Sequence, residues 1–211
     1  MIRAIVFDMG GVIIQYDPAL YVRRVTKDPD EARILEDAVF HSQEWFRLDE
    51  GTIELEEFDQ VLKASLPGPL VDKGLYLLHH WYENMPVFSG IERLMAVLSA
   101  SGIPLYLLSN AGQQFHTYKR GIPAFRYLNG IVLSSDLKLL KPGPEIYRYL
   151  LETYKLKPEE VLFIDDSPAN VRGAETLGIH GYSYADGILE NLLEYLISEG
   201  LLAPEAVQAI L

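Results

Sequence analysis

No cysteine occurs among the 211 residues, which excludes disulfides, thiolate catalysis and cysteine-ligated zinc and agrees with a reducing compartment. Positive charge is scarce too. Eighteen Lys and Arg stand against 30 Asp and Glu, for a net charge of −12, and a surface of that sign opposes non-specific nucleic-acid binding. An anionic ligand must therefore be attracted locally, by a metal or by a few placed cations. No apolar run approaches the roughly 20 residues that span a bilayer, and the N-terminus lacks the basic-then-apolar order of a signal peptide. The cytoplasm is the expected setting, with neither membrane nor nucleic acid as partner. Apolar residues, in contrast, make up 49% of the chain, enough to fill one large domain or one domain carrying an insert.

With no internal repeat, organisation is read from periodicity and punctuation. From Pro104 onward short apolar runs alternate with helical patterns: PLYLLSN, GIVLSSD, EEVLFIDD and HGYSYAD. Strands alternating with helices predict a doubly wound parallel sheet, an α/β fold. Three helix faces point to the core: Ile91, Leu94, Met95 and Leu98 in the first, Ile146, Tyr149 and Leu150 in the second, Val171, Ala174 and Leu177 in the third. Residues 16–86 differ, having helical spacing and no convincing strand. The expected layout is an α/β core made of 1–15 and 87–211 with a helical cap of 16–86 inserted after the first strand. Such an insert sits above the strand ends, where open α/β sheets bind ligands, and could close over a substrate.

Those strand ends carry the chemistry. Asp8 ends the run AIVF and is followed by Met9, Gly10 and Gly11; Ser109 and Asn110 end YLLSN; Asp165 and Asp166 end VLFIDD; Lys141 precedes the helix PEIYRYLL. In a parallel sheet the carboxyl ends share one edge, so topology brings these residues together. Carboxylates and a backbone carbonyl form a hard oxygen site suited to Mg²⁺, and a hydroxyl, backbone N–H groups and a lysine suit phosphate. Taken singly, each has a blander role: Ser109 as a helix cap, Lys141 as a surface lysine, the Asp165–Asp166 pair as caps for the next helix.

Taken together, the four motifs VFDMGGVI, LLSN, LKPGPEIY and FIDDSPAN resemble the haloacid dehalogenase superfamily, in the branch of phosphohydrolases whose helical cap follows the first strand. The cap phrase LDEGTIELEEF is similar to the Gly-acidic helix start common in such caps. The resemblance implies a Rossmann-like core and a Mg²⁺-dependent phosphatase. In it Asp8 is the nucleophile that forms an aspartyl-phosphate, Ser109 and the Asn110 backbone bind phosphoryl oxygens, and Lys141 neutralises their charge. It further implies Mg²⁺ held by Asp8, Asp166 and the Gly10 carbonyl, with Asp165 a direct or outer ligand. The implied partner is a small phosphorylated metabolite, sugar phosphates among the candidates, and the chain is expected to act as a monomer or homodimer.

One position departs from the family pattern. Most such phosphatases carry a second aspartate two residues after the nucleophile, as acid and base, and here that residue is Gly10. Losing such a group typically costs about 10² to 10⁴ in rate unless something replaces it. Tyr16, Asp17 and His41 at the cap edge are the candidates. Without that acid, substrates with acidic leaving groups, such as an anomeric sugar phosphate, are expected to react best. Trp45 and Arg47 could face the substrate from the cap, while Trp45 could equally be core and His79 and His80 ordinary helix-face residues. Two rival functions stand beside the phosphatase. One is a metal-free, halide-releasing dehalogenase, against which the Asp165–Asp166 pair counts. The other is a non-catalytic phospho-ligand or protein binder, suggested by Gly10 and by the apolar tail LLAPEAVQAIL, whose Leu202, Ala206 and Ile210 share a helical face and would pack on the chain's own core or on a dimer mate.

Overall fold

The short apolar runs become one parallel sheet in the computed structural model, which describes residues 1–211. Its strands are β1 (Ala4–Phe7), β2 (Leu105–Ser109), β3 (Gly130–Leu133), β4 (Val161–Asp165) and β5 (His180–Ser183), in the order β3-β2-β1-β4-β5. Every residue of β1, β2 and β4 is buried, as a parallel sheet covered on both faces requires. Alternate residues of each strand face opposite sides. Val6, Leu108 and Phe163 meet Ile146, Tyr147 and Leu150 on one side. Ile5, Phe7, Leu107 and Ile164 belong to the larger cluster on the other, with Leu94, Leu98 and Leu192.

The covering helices of the core are α6 (Ser89–Ala100), α9 (Pro144–Tyr154), α10 (Pro168–Glu175) and α11 (Leu189–Ser198). Between β1 and α6 lie five helices and no strand: α1 (Pro18–Val22), α2 (Pro29–Val39), α3 (Gln43–Glu50), α4 (Leu55–Ser65) and α5 (Gly68–His80). Local chemistry starts several of them. Asp17 accepts from Ala19 N at 3.1 Å, Asp28 from Asp30 N at 2.9 Å, and Ser42 from Trp45 N at 3.2 Å, each satisfying an amide that a helix start leaves orphaned. The chain leaves and re-enters the core side by side, with Gln15 N donating to Pro86 O at 2.9 Å and Phe88 N to Ile13 O at 3.0 Å. This paired neck holds the helical segment over the carboxyl edge of β1.

Some details differ from the sequence expectation. On α9 the third core residue is Tyr147, fully buried, while Tyr149 is 41% exposed; residues 146, 147 and 150 form the tighter inward stripe, and a tyrosine's polar tip suits either side. A one-turn helix, α7 (Phe115–Tyr118), follows β2, and the SSD that follows β3 turns into another, α8 (Ser134–Leu137). Leu177 is only partly buried. The C-terminal tail folds back on its own chain, as helix α12 (Val207–Ile210), burying Leu202 and Ile210, and Arg93 of α6 donates to the carbonyls of Ile210 and Leu211. No helix is long and apolar enough to cross a membrane.

Candidate active site

Asp8 stands one residue beyond β1, and its N–H donates to Ile164 O at 2.9 Å, so the sheet's bonding pattern still fixes its backbone. Lys141 reaches it from the loop before α9. The Lys141 Nζ lies 2.8 Å from Asp8 Oδ1, 2.7 Å from Asp165 Oδ2 and 2.9 Å from Leu108 O, three acceptors for its three protons. The side chain is only 1% exposed, far from the surface lysine of the blander reading. Asn110 holds the lysine's backbone: its Nδ2 donates to Lys141 O at 3.0 Å and its Oδ1 accepts from Lys141 N at 2.9 Å. Ser109, at the end of β2, is buried and lines the same cavity as Asp8.

The two adjacent aspartates separate in role. Asp165 is fully buried and saturated by protein donors: Lys141, Ser167 N at 2.8 Å and Asn170 Nδ2 at 3.1 Å. Asp166 lines the cavity. Gly11 explains how close the loop comes to it: with φ at +70°, a Cβ there would stand 2.1 Å from Asp166 Oδ2, so both conformation and space demand glycine. Gly10 is different. Its added Cβ would meet nothing closer than Tyr16 Cβ at 3.4 Å, with no positive φ.

Charge is out of balance here. Carboxylate oxygens of Asp8, Asp165 and Asp166 lie within 4.8 Å of one another, against one ammonium. Burial pushes Asp8 up to about 7, with Lys141 opposing and Asp165 and Asp166 adding to the rise. Burial and the Asp165 charge raise Asp166 as well. Burial alone would lower Lys141, but Asp8 and Asp165 outweigh it and hold the ammonium above its ordinary range. A buried surplus of carboxylate is what a hard divalent cation relieves. The donors present, two cavity-facing carboxylates beside a glycine backbone, fit Mg²⁺; no soft or nitrogen ligand is among them.

Above this floor, the cap closes a cavity of about 300 Å³. Its position is set where α3 ends on Gly51, whose φ of 75° completes a left-handed cap. A Cβ on Gly51 would come within 2.3 Å of Ser135 O. Ser134 Oγ bridges the two parts, donating to Asp49 O and accepting from Ala111 N at 2.9 Å. The same contact points Asp49 into the cavity, a residue that motif reading passed over. Burial first, then the Asp8 charge, pushes its carboxyl up to about 8 even though the Gly112 N–H opposes the shift. In LDEGT the glycine marks only the end of the helix, and nothing local distinguishes Asp49 from its acidic neighbour.

The other cap candidates fall into place. Tyr16 lines the cavity, whereas Asp17 is spent capping α1 and His41 is exposed beside Glu36 and Asp37. Trp45 forms part of the wall and Arg47 is exposed outside it. His79 and His80 pair with Asp59 and Glu83 at 2.8 Å each, away from the cavity.

Comparison with known proteins agrees with this architecture. A D-ribitol-5-phosphate phosphatase of Bacteroides thetaiotaomicron is 27% identical over 198 residues, covering 89% of this chain and 94% of that protein. A sesquiterpene phosphatase of Aspergillus oryzae is 23% identical over 189 residues, covering 88% and 91%. Among solved structures, a haloacid-dehalogenase-family enzyme of Bacteroides thetaiotaomicron in complex with magnesium and inorganic phosphate superposes with a TM-score of 0.65 at 23% identity, covering 87% of this chain and 94% of that one. At that identity the likeness concerns the fold. The family model for haloacid dehalogenase-like hydrolases matches residues 2–178, well over half of the length, and the chain with its Asp8–Lys141 floor and inserted helices belongs to that family of hydrolytic enzymes.

Proposed function

We propose that the enzyme is a Mg²⁺-dependent phosphatase that cleaves a small phosphomonoester through an aspartyl-phosphate on Asp8. The observation that carries this reading is the ion pair between Lys141 and Asp8 at 2.8 Å inside an oxygen-rich floor that also holds Asp166 and Ser109. The phosphatase relatives support it. Asp8, Asp166 and the Gly10 carbonyl would hold Mg²⁺, which when bound offsets the charge of carboxylate and phosphate. Lys141 supplies a second positive charge beside the attacking carboxylate. The Ser109 hydroxyl and the Asn110 backbone N–H bind the phosphoryl oxygens. Asp165, saturated by protein donors, positions Lys141.

A carboxylate oxygen of Asp8 bonds to phosphorus as the ester P–O bond breaks, and the ester oxygen leaves with a proton from Asp49, protonated below about pH 8. Water then attacks the aspartyl-phosphate, giving its proton back to Asp49 and freeing Asp8 and inorganic phosphate. The cap thus supplies the acid and base that Gly10 lacks.

Phosphate release from acetyl phosphate, whose small acyl group makes little demand on the cavity, tests the reading. Turnover is expected with Mg²⁺, and none with excess chelator or in Asp8→Asn. Halide release from a 2-haloacid in chelator, with no phosphate release under any condition, would instead establish the dehalogenase.

A further inference from the structure

The half of the cavity that receives the leaving group is built from aromatic side chains. Trp45 and Trp81 pack edge to face at 5.6 Å between ring centres, Tyr16 lies 5.7 Å from Trp81, Phe40 4.9 Å from Trp45 and Tyr118 5.5 Å from Trp81. These contacts make a continuous, rigid wall. Phe46 stands at its mouth, 62% exposed and still lining the cavity. An exposed phenylalanine at the rim of an apolar cavity lacks a partner that a bound hydrocarbon would provide.

Polar groups are few in that half: the Tyr16 and Tyr118 hydroxyls, the Asp49 carboxyl and the Trp81–Gln114 pair. Trp81 Nε1 donates to Gln114 Oε1 at 3.3 Å, and Gln114 Nε2 donates to Leu78 O at 2.9 Å, so both groups are engaged within the protein. Lys141 is the only Lys, Arg or His in the lining, and it is committed to Asp8 and Asp165. A second anionic group on the substrate would find no free cation in the lining. A polyol would exchange water on every hydroxyl for a wall of mostly ring surface with fewer hydrogen-bonding groups than hydroxyls to satisfy.

We propose that the substrate's organic group is an uncharged unsaturated hydrocarbon, aryl or allylic, clasped by Trp45, Phe46 and Trp81. The site is then built for apolar monophosphates, and polyol or doubly anionic phosphates are poor substrates. The inference rests on the phosphatase reading for its chemistry, but the pocket can be tested apart from it.

In the first measurement, kcat/KM is compared for phenyl phosphate and geranyl monophosphate against ribitol 5-phosphate, a hexose 1-phosphate and phosphoglycolate, with acetyl phosphate as the control for phosphatase chemistry. The apolar esters are expected to lead by about 100-fold or more, and Phe46→Ala, at an exposed position that folding tolerates, to narrow that lead by about 10-fold. Equal or greater kcat/KM for the polar esters overturns the proposal. The second measurement needs no turnover. Both tryptophans of the chain line the cavity, so intrinsic fluorescence titrated with geraniol and with ribitol reports the wall directly. A saturable response to geraniol alone is expected. If acetyl phosphate is inert while geraniol still binds, the phosphatase reading falls and the apolar site stands; no response to geraniol, or a response to both alcohols, overturns the site.

Discussion

Lys141 grips Asp8 across 2.8 Å with a side chain that is 1% exposed, while its remaining protons go to Asp165 and the Leu108 carbonyl. The lysine is therefore structural and electrostatic at once. Replacing it by methionine of similar length leaves Asp8 and Asp165 buried without their cation, a change that costs about 3–5 kcal/mol when one partner of a buried pair is removed. Lys141→Met is expected to lose that much stability in urea unfolding and all detectable turnover. A fully stable but inactive Lys141→Met would show the pair to be dispensable for the fold.

Asp166 faces the cavity where Asp165 does not, so the two should differ toward metal. Adding Mg²⁺ should raise the melting temperature of the wild type, because ligand binding to the native state adds stability by mass action. In Asp166→Ala that increase should largely vanish, while in Ser109→Ala it should persist. Ca²⁺, which prefers more ligands and longer bonds, should support little turnover. An undiminished Mg²⁺ shift in Asp166→Ala would remove this residue from the ligand set.

Asp49 should behave as the acid that Gly10 is not. Asp49→Asn is expected to lower kcat by about 10² to 10⁴ for esters of weakly acidic alcohols, with a much smaller effect on acetyl phosphate, whose leaving group needs little protonation. In the wild type, kcat for those esters should fall as pH rises past about 8, the value at which the buried carboxyl gives up its proton. That limb should disappear in the variant. Because a Cβ at Gly10 meets only the Tyr16 side chain, Cβ at 3.4 Å and Cγ at 3.8 Å, Gly10→Asp should be accommodated and return activity to Asp49→Asn. A kcat in Asp49→Asn indistinguishable from wild type across the ester series would dismiss the role.

The same carboxyl leaves a signature in stability. Its folded value of about 8 lies above the ordinary aspartate value of 3.8, so between those limits the folded state binds the proton more tightly than the unfolded one. Stability contributed by the protonated group is complete below about pH 4, declines as pH rises through the folded value and is gone above it. In metal-free buffer Asp49→Asn should therefore match or trail the wild type near pH 4 and exceed it above pH 8. The swing should be on the order of 1–3 kcal/mol, reduced from the full shift because cavity water screens the charge. Thermal melts of both proteins across this range check it, and a pH-independent difference would count against the raised value.

Much of the fold was legible in the chain. VFDMGG, YLLSN and VLFIDD announce buried parallel strands because their apolar runs stop abruptly at polar residues, and a parallel sheet must gather those stops on one edge. On α9 periodicity favours Tyr149 over Tyr147, since tyrosine serves a core or a surface equally well and the local spacing admits both, and just past α10 it places Leu177 deeper than its partly buried position. The helical character of the cap is legible in its spacing. Its contribution to the site was not legible, because Asp49 carries no motif and acquires its place only when Gly51 and Ser134 dock the end of α3 on the core.

By itself the sequence determined which acids, lysine and hydroxyl lie at the strand ends, since that placement follows from chain order and the period of the strand. Tertiary structure decided how they divide the work. Asp165 and Asp166 are neighbours in the chain, yet one is saturated by Lys141, Ser167 and Asn170 and the other faces the cavity. The aromatic wall and the raised Asp49 carboxyl likewise depend on contacts between residues far apart in the chain, such as Trp45 with Trp81, Tyr16 with Trp81 and Asp49 with Ser134, and burial and charge neighbours are properties of that packing, which no local pattern encodes.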